Sequence, residues 1–569
     1  MRFTTGPALP LGLGTLALLS LAACGGGDDP APVQLSAAQS ATLQSCTALA
    51  TAFSFPGTTI TGATVAPVGT LTNAGSPVGE HCVVTGKMNE RVSAVDGQTY
   101  AIGFEMRLPK DWSGRFLYQG NGGTDGAVAP AVGGFSGGGP LQNGLQQGFA
   151  VISSDAGHNG SQVLFGLDPQ ARLDYGYQAV GALTPMAKAL IKAAYGKGPD
   201  RSYIGGTSNG GRHTMVAAAR YADQYDGFVA LSPGFNLPKA AVAQLYGAQQ
   251  WAKVATDVKN LETALPQNER QLVANAILAK CDALDGAADG LVQDVEACRT
   301  AFDVVRDVPT CIAARDGTCL TPAQKSAVQS VYAGARNSKG EALYSRWPFD
   351  PGMAATGWAD WKFRNSVGNT RDPLAVAFIF SSPPASPSVL SDTLSYALNF
   401  NMDTDAPKIF ATSGVYAESA MSFMTPPNPT KLDTLRDRGA KMIVIHGNSD
   451  PVFSVDDTTA WYEGLNTQYG GRAAEFTRFF RVPGMGHSRG GPATDQFDAL
   501  SAIVNWVEKG QAPERIVASA RGAGNAGGVN ADVPTTWAPN RTRPLCPYPQ
   551  VARYNGSGSL ESADSFSCK

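Results

Sequence analysis

RSYIGGTSNGGRHTM, residues 201–215, sets a serine between glycines at the point where an apolar run gives way to a polar, helix-compatible one. Gly-x-Ser-x-Gly alone decides nothing, because a chain with 65 glycines matches it around Ser136 (GFSGG), Ser208 (GTSNG) and Ser488 (GHSRG). A nucleophile elbow needs a strand running into a tight turn that opens a helix, with glycines relieving the crowding. Ser208 has that setting. Arg201 to Ile204 reads as a short strand. The Ala-rich, proline-free GRHTMVAAARYADQY reads as a helix with a face through Met215, Ala218 and Ala219. Ser136, in GGFSGGGP, reads as loop.

Outward from the elbow, short β-rich runs alternate with helical stretches. YAIGFEMRL, GRFLYQG, FAVISSD, RSYIGG and DGFVALS are the early runs, and KMIVIHG and FTRFFRV the late ones. Alternation of this kind predicts an α/β fold, a mainly parallel sheet flanked by helices. Between DGFVALS and KMIVIHG the chain changes character, with four cysteines, the Pro-rich SSPPASPS and TPPNPT, and Trp347, Phe349, Trp358, Trp361, Phe378 and Phe380. That stretch reads as an inserted lid domain, with at least half of its aromatics forming its own core. The predicted division is 1–23 signal, 24–40 tether, 41–234 first part of the sheet domain, 235–428 lid and 429–569 second part.

With 44 basic and 47 acidic side chains, a net charge of −3 and no basic stripe, nothing suggests nucleic acid or an anionic membrane surface as partner. The N-terminus reads as a targeting segment: Arg2, then the apolar PLGLGTLALLSLAA, then Leu21-Ala22-Ala23-Cys24. It resembles a bacterial lipoprotein signal, cleaved before Cys24 and lipidated there, with GGGDDPAP as tether; a plain secretory signal cut elsewhere is the alternative. Either way the protein is expected to be exported, membrane-anchored if lipidated and otherwise periplasmic or secreted. Eight cysteines remain, and they fall into sequence-local pairs expected as Cys46 with Cys82, Cys281 with Cys298, Cys311 with Cys319, and Cys546 with Cys568. Each bridge contributes about 2–4 kcal/mol. No C-x-x-C spacing suggests zinc.

A serine hydrolase of this architecture needs its acid and then its histidine after the serine in chain order. Of five histidines, His81, His158 and His213 precede the elbow or follow it at once, and His446 lies ahead of any suitable acid. His487, in RVPGMGHSRGG after a late strand, is the candidate base. Asp450, in KMIVIHGNSDPVFS, is the candidate acid, preferred over Asp456 and Asp457, which read as the first turn of the next helix. Oxyanion donors are expected from the backbone N–H of Asn209 and from YQGNGGTDG, where Gly122 or Gly123 makes the closest approach; Gly123 is taken as the donor. In CDALDGAADGLVQD, Asp282, Asp285 and Asp289, with the carbonyls of Ala287 and Leu291, have a rhythm suited to a calcium ion, against the alternative of a solvated acidic loop.

These residues together resemble the tannase and feruloyl esterase family of α/β-hydrolases, the group that includes mono(2-hydroxyethyl)terephthalate hydrolases. The resemblance rests on GGTSNGGR, HGNSDPVF, GMGHSRGG, QGNGG, SSDAGH and CDALDGAADG, and covers nearly the whole mature chain. It implies an α/β-hydrolase fold with a lid, a Ser208–Asp450–His487 triad, and a structural calcium held in the lid by Asp282, Asp285, Asp289 and the carbonyls of Ala287 and Leu291. It also implies hydrolysis of aromatic carboxylic esters through an acyl-enzyme, without an organic cofactor. Most members place cysteines, joined by a disulfide, where this chain has Thr207 and Ser488; a Thr207–Ser488 hydrogen bond is the expected substitute, worth about 1 kcal/mol. Terephthalate-ester hydrolases of the family hold a substrate carboxylate with a lid arginine, and neither Arg364 nor Arg371 can be matched to it. A peptidase on the same scaffold and a non-catalytic surface binding protein are the competing readings.

Overall fold

The computed structural model describes residues 33–134, 138–139, 141–160, 163–368 and 371–569. The signal, Cys24 and Ser136 lie outside them. Nine strands form the central sheet: β1 (Thr58–Ala66), β2 (His81–Val92), β3 (Thr99–Pro109), β4 (Arg115–Gly120), β5 (Ala150–Ser154), β6 (Arg201–Thr207), β7 (Gly227–Leu231), β8 (Lys441–Gly447) and β9 (Thr477–Val482). Their spatial order is β9-β8-β7-β6-β4-β5-β3-β2-β1. The six strands β4 to β9 run parallel, and β3, β2 and β1 continue the sheet antiparallel. The expected parallel sheet is therefore extended by two strands ahead of residue 99. His81 does not precede the sheet; it opens β2 opposite Pro109.

Central strands bury both faces, and their side chains alternate between two cores. Phe228 and Ala230 of β7 enter one apolar cluster and Val229 and Leu231 the other; Met442 and Val444 of β8 divide from Ile443 and Ile445 in the same way. The first cluster packs under α1 (Ala179–Tyr195) and α2 (Asn209–Arg220), the second under the late helix Ala499–Lys509 through Leu500, Ile503 and Trp506.

After Leu231 the chain leaves the sheet and returns at Lys441. Among the described residues the elements between them are all helices, beginning with α3 (Leu237–Ala252) and α4 (Gln267–Cys281). This segment shares the first apolar cluster with the sheet. Trp347, Trp358, Phe378 and Phe380 are buried in it and Phe349 stacks on Tyr332, so most of the segment's aromatics serve packing. Two helices follow the late strands: α5 (Val455–Gln468), with Asp456 and Asp457 in its first turn, and α6 (Ala499–Lys509). All four expected disulfides are present, with Cα separations of 5.4, 5.1, 5.0 and 5.4 Å in chain order. Among the described residues no helix is long and apolar enough to cross a membrane.

Candidate active site

Strand β6 delivers Ser208 to the turn before α2 with φ 87° and ψ −112°, a conformation that costs a non-glycine residue on the order of 1–3 kcal/mol. The turn is over-determined by its hydrogen bonds. Ser208 N–H donates to the Leu231 carbonyl at 2.9 Å, and its own carbonyl accepts from Arg212 at 3.0 Å and Gly234 at 3.1 Å. The flanking glycines are a packing requirement, because a Cβ at Gly206 or Gly210 would overlap the Gly120 carbonyl oxygen. The motif thus reflects three backbones, those of β4, β6 and α2, in contact beneath one serine.

Ser208 Oγ lies 2.8 Å from His487 Nε2, and His487 Nδ1 lies 2.8 Å from Asp450 Oδ2. An ionised carboxylate only accepts, so Nδ1 carries the proton and Nε2 is left to take the serine's. Asp450 is fully buried. Burial alone would raise its pKa, but the His487 charge and the hydrogen bonds from His446 and His487 hold it well below the usual carboxylate range. Asp450 Oδ1 accepts from the N–H groups of Val452 (2.8 Å) and Phe453 (3.1 Å).

His446, set aside on chain order, stands behind the acid. Its Nε2 is 3.2 Å from Asp450 Oδ2 and 3.1 Å from the Phe453 carbonyl, two acceptors, so that nitrogen bears a proton; in that tautomer Nδ1 accepts from Thr458 Oγ1 at 2.9 Å. Trp361 from the inserted segment and Phe453 meet the His487 ring edge-on, with centroids at 4.9 and 5.4 Å. His487 is thereby fixed by packing as well as by Asp450.

The expected oxyanion donors sit on either side of the serine. Asn209 is the first residue of α2, so its N–H has no intrahelical acceptor. Gly122 and Gly123 line the cavity with Ser208; Gly122 is the nearer, since a Cβ on it would stand 3.8 Å from Ser208 Cβ. Asp125 ties the two sides together. Its Oδ2 accepts from Asn209 Nδ2 at 2.7 Å and meets His213 Nε2 at 2.9 Å, while Asn209 Oδ1 accepts from the buried Arg212 Nε at 2.6 Å. Burial pushes the Asp125 carboxyl up to about 7, against the pull of His158, Arg212 and Asn209. Burial and the Arg212 charge drive His213 well below the ordinary histidine range, and burial lowers His158 to about 4. These two histidines are buried around Asp125 and stand outside the Ser208–His487–Asp450 relay.

In front of Ser208 lies a cavity of about 450 Å³, lined among others by Gln119, Asn121, Thr207, Trp361, Ser488 and Arg489. Thr207 Oγ1 and Ser488 Oγ are both buried with no hydrogen-bond partner. The expected Thr207–Ser488 hydrogen bond is therefore absent, and two polar groups are left unpaid by any partner. A larger cavity of about 710 Å³, beside α4 and Trp537, is lined by neither Ser208 nor His487.

In the acidic loop, Asp282 accepts from the N–H groups of Asp289 and Gly290, Asp285 Oδ1 from Ala287, and Asp289 Oδ1 from Leu291. Arg543 pairs with Asp289 Oδ2, whereas Asp285 Oδ2 is buried without a partner. Among the described residues no three acidic, histidine or cysteine side chains are grouped as a metal cage. The donor chemistry, hard oxygens with one orphaned carboxylate oxygen, fits a calcium ion better than any softer metal.

A serine on a strained strand-to-helix turn, above a mainly parallel sheet and followed in the chain by a strand-end aspartate and a loop histidine, defines an α/β-hydrolase. Within that class the chain belongs to the tannase and feruloyl esterase family, whose model matches residues 82–569. It is 39% identical over 525 residues to a mono(2-hydroxyethyl) terephthalate hydrolase of Piscinibacter sakaiensis, covering 86% of this chain and 85% of that protein. It is 28% identical over 506 residues to a probable feruloyl esterase B-2 of Aspergillus fumigatus, covering 85% and 87%. The solved feruloyl esterase B of Aspergillus oryzae superposes with a TM-score of 0.71 at 24% identity, over 92% of this chain and 99% of that one, a likeness of fold.

Proposed function

We propose that this protein is an exported serine carboxylesterase that hydrolyses esters of aromatic carboxylic acids through an acyl-enzyme. The observation that carries the reading is the unbroken hydrogen-bonded chain from Ser208 through His487 to Asp450. The relatives named as a feruloyl esterase and as a terephthalate monoester hydrolase support the aromatic ester class.

In this reading His487 Nε2 accepts the Ser208 hydroxyl proton as Oγ attacks the ester carbon, and Asp450 stabilises the imidazolium. The oxyanion is met by the N–H groups of Asn209 and Gly123, or of Gly122 in place of Gly123. His487 then protonates the departing alkoxide. Water, deprotonated by the same nitrogen, releases the acid and restores Ser208. The segment 235–428 acts as the lid and supplies Trp361 as an apolar wall for the substrate ring. Four disulfides fit an oxidising compartment and so support export, with residues 1–23 as signal and Cys24 as lipid anchor. Calcium at Asp282, Asp285, Asp289 and the carbonyls of Ala287 and Leu291 would brace the lid, with no part in the chemistry.

The test is hydrolysis of p-nitrophenyl acetate, methyl ferulate, methyl gallate and mono(2-hydroxyethyl) terephthalate by the wild type and Ser208→Ala. Turnover of one or more, lost about 10⁴-fold or more in the variant, is the expected result. A folded wild type inert on all four overturns the reading.

A further inference from the structure

Lys362, in the helical stretch Asp360–Gly368 of the inserted segment, is a lysine with only 5% of its surface exposed. Its Nζ lies over the rings of Trp347 and Trp358, 4.4 and 5.9 Å from their centroids, and donates to Gln244 Oε1 at 3.3 Å. Lys362, Trp347, Trp358 and Asp450 line one void of about 10 Å³, which places the lysine on the acid's side of the triad. Burial pushes the amine down to about 7, against the pull of Asp450 and Asp372. Charged or neutral, an amine keeps at least two N–H donors, so its bond to Gln244 survives deprotonation.

Gln244, buried on α3, faces the turn that follows the catalytic acid. Its Nε2 donates to the carbonyls of Pro451 and Val452, at 3.0 Å each. Carbonyls only accept, so the amide nitrogen must face the turn and the amide oxygen must face Lys362. The same turn holds Asp450 Oδ1 with the N–H groups of Val452 and Phe453, and its Phe453 carbonyl accepts from His446. Without a donor at Oε1, Gln244 would keep a buried acceptor unsatisfied, a penalty relieved by rotating the amide away from the turn. A hydrogen-bonded chain therefore runs from Lys362 through Gln244 and the 451–453 turn to Asp450 and on to His487.

Trp361, the residue before Lys362, meets the His487 ring edge-on. Two consecutive side chains of the inserted segment thus reach the base directly and the acid through one amide. We propose that Lys362 is a positioning residue for the reaction, acting through Gln244 to hold the Asp450 turn, so that the inserted segment keeps acid and base aligned. This rests on the esterase reading above.

The experiment measures kcat and KM on the best ester of the four-member panel, with urea unfolding, for the wild type, Lys362→Met and Lys362→Gln. Lys362→Met keeps the length and apolar stem without the donor, and Lys362→Gln restores a neutral donor. In Lys362→Met kcat should fall about 5-fold with KM unchanged, the value of one hydrogen bond, while the urea midpoint holds or rises because a buried polar head is gone. Lys362→Gln should recover part of kcat. In a Gln244→Met background the Lys362 change should add less than about 2-fold, since the two act as one unit. An unchanged kcat in Lys362→Met overturns the proposal, as does a kcat that falls together with the midpoint and is not recovered in Lys362→Gln, the mark of a merely structural lysine. Phosphonylation of Ser208 by a p-nitrophenyl alkylphosphonate, followed by p-nitrophenolate release, reports the relay without ester turnover. If no ester is hydrolysed yet this rate falls about 5-fold in Lys362→Met, the esterase reading falls and the Lys362 assignment stands. If esters are hydrolysed and both rates are unchanged, the assignment alone falls. A folded wild type that neither hydrolyses nor reacts overturns both.

Discussion

Replacing Thr207 by Val and Ser488 by Ala removes two buried hydroxyls that have no hydrogen-bond partner. An unsatisfied buried polar group carries a desolvation penalty of about 1–3 kcal/mol, whereas a made hydrogen bond contributes a net of about 1 kcal/mol. The two situations differ in sign. With both hydroxyls orphaned, Thr207→Val, which keeps the branched shape and suits the end of β6, should stabilise by about 1 kcal/mol, and Ser488→Ala by a similar or smaller amount. Were they bonded to each other, either change would destabilise by about the same amount and strand the partner. The assay is urea unfolding at neutral pH, read as a shift of midpoint at constant slope. Because both residues line one cavity, the double variant should be compared with the sum of the singles for coupling. A lowered midpoint with unchanged slope in both single variants would refute the reasoning, because it would mean that the hydroxyls are satisfied.

Other expectations follow from the same geometry. His446→Ala should lower kcat about 10-fold with KM unchanged, the value of one hydrogen bond to a charged acid, and His446→Gln, which can still donate, should recover part of it; steady-state kinetics on an aryl ester decides. Gly206→Ala forces a methyl onto the Gly120 carbonyl, so it should cost about 3 kcal/mol or prevent folding, read by urea unfolding or soluble yield. Asp125 has a folded pKa raised from 3.8 to about 7, so its contribution to stability is fully present below pH 4 and is lost as pH rises through 7. Asp125→Asn should therefore gain on the wild type by up to about 4 kcal/mol between pH 4 and 8, and equal pH profiles of unfolding free energy would contradict this. If calcium occupies the Asp282 loop, adding it at about 100 times its Kd should stabilise by about 2.7 kcal/mol, a chelator should lower Tm, and Asp285→Asn should abolish both effects.

Much of this molecule is legible because it follows local rules. The change from a buried strand pattern to an Ala-rich helical one announces the elbow at Ser208, and the order Ser208, Asp450, His487 leaves few assignments once only five histidines are available. Neighbouring cysteines pair because short loops bring them together readily. The strands β1 and β2 escape notice for a physical reason. At the sheet edge only one face is buried, so TTITGATVA and HCVVTGKMNERV carry a diluted pattern of threonines and charges.

Local sequence supplies the set of parts: an elbow that only glycines can pack, a histidine and an acid at strand ends, and an inserted segment of another character. Which of these parts meet is settled by packing in three dimensions. Ser208 and His487 are 279 residues apart and 2.8 Å from each other. His446 backs Asp450, Asp125 bridges the two expected oxyanion donors, and Thr207 and Ser488 miss one another. Backbone conformation and periodicity are set within a few residues and can be read along the chain. Partner choice among polar side chains depends on distances of a few tenths of an ångström across chain segments that only the packed core brings together.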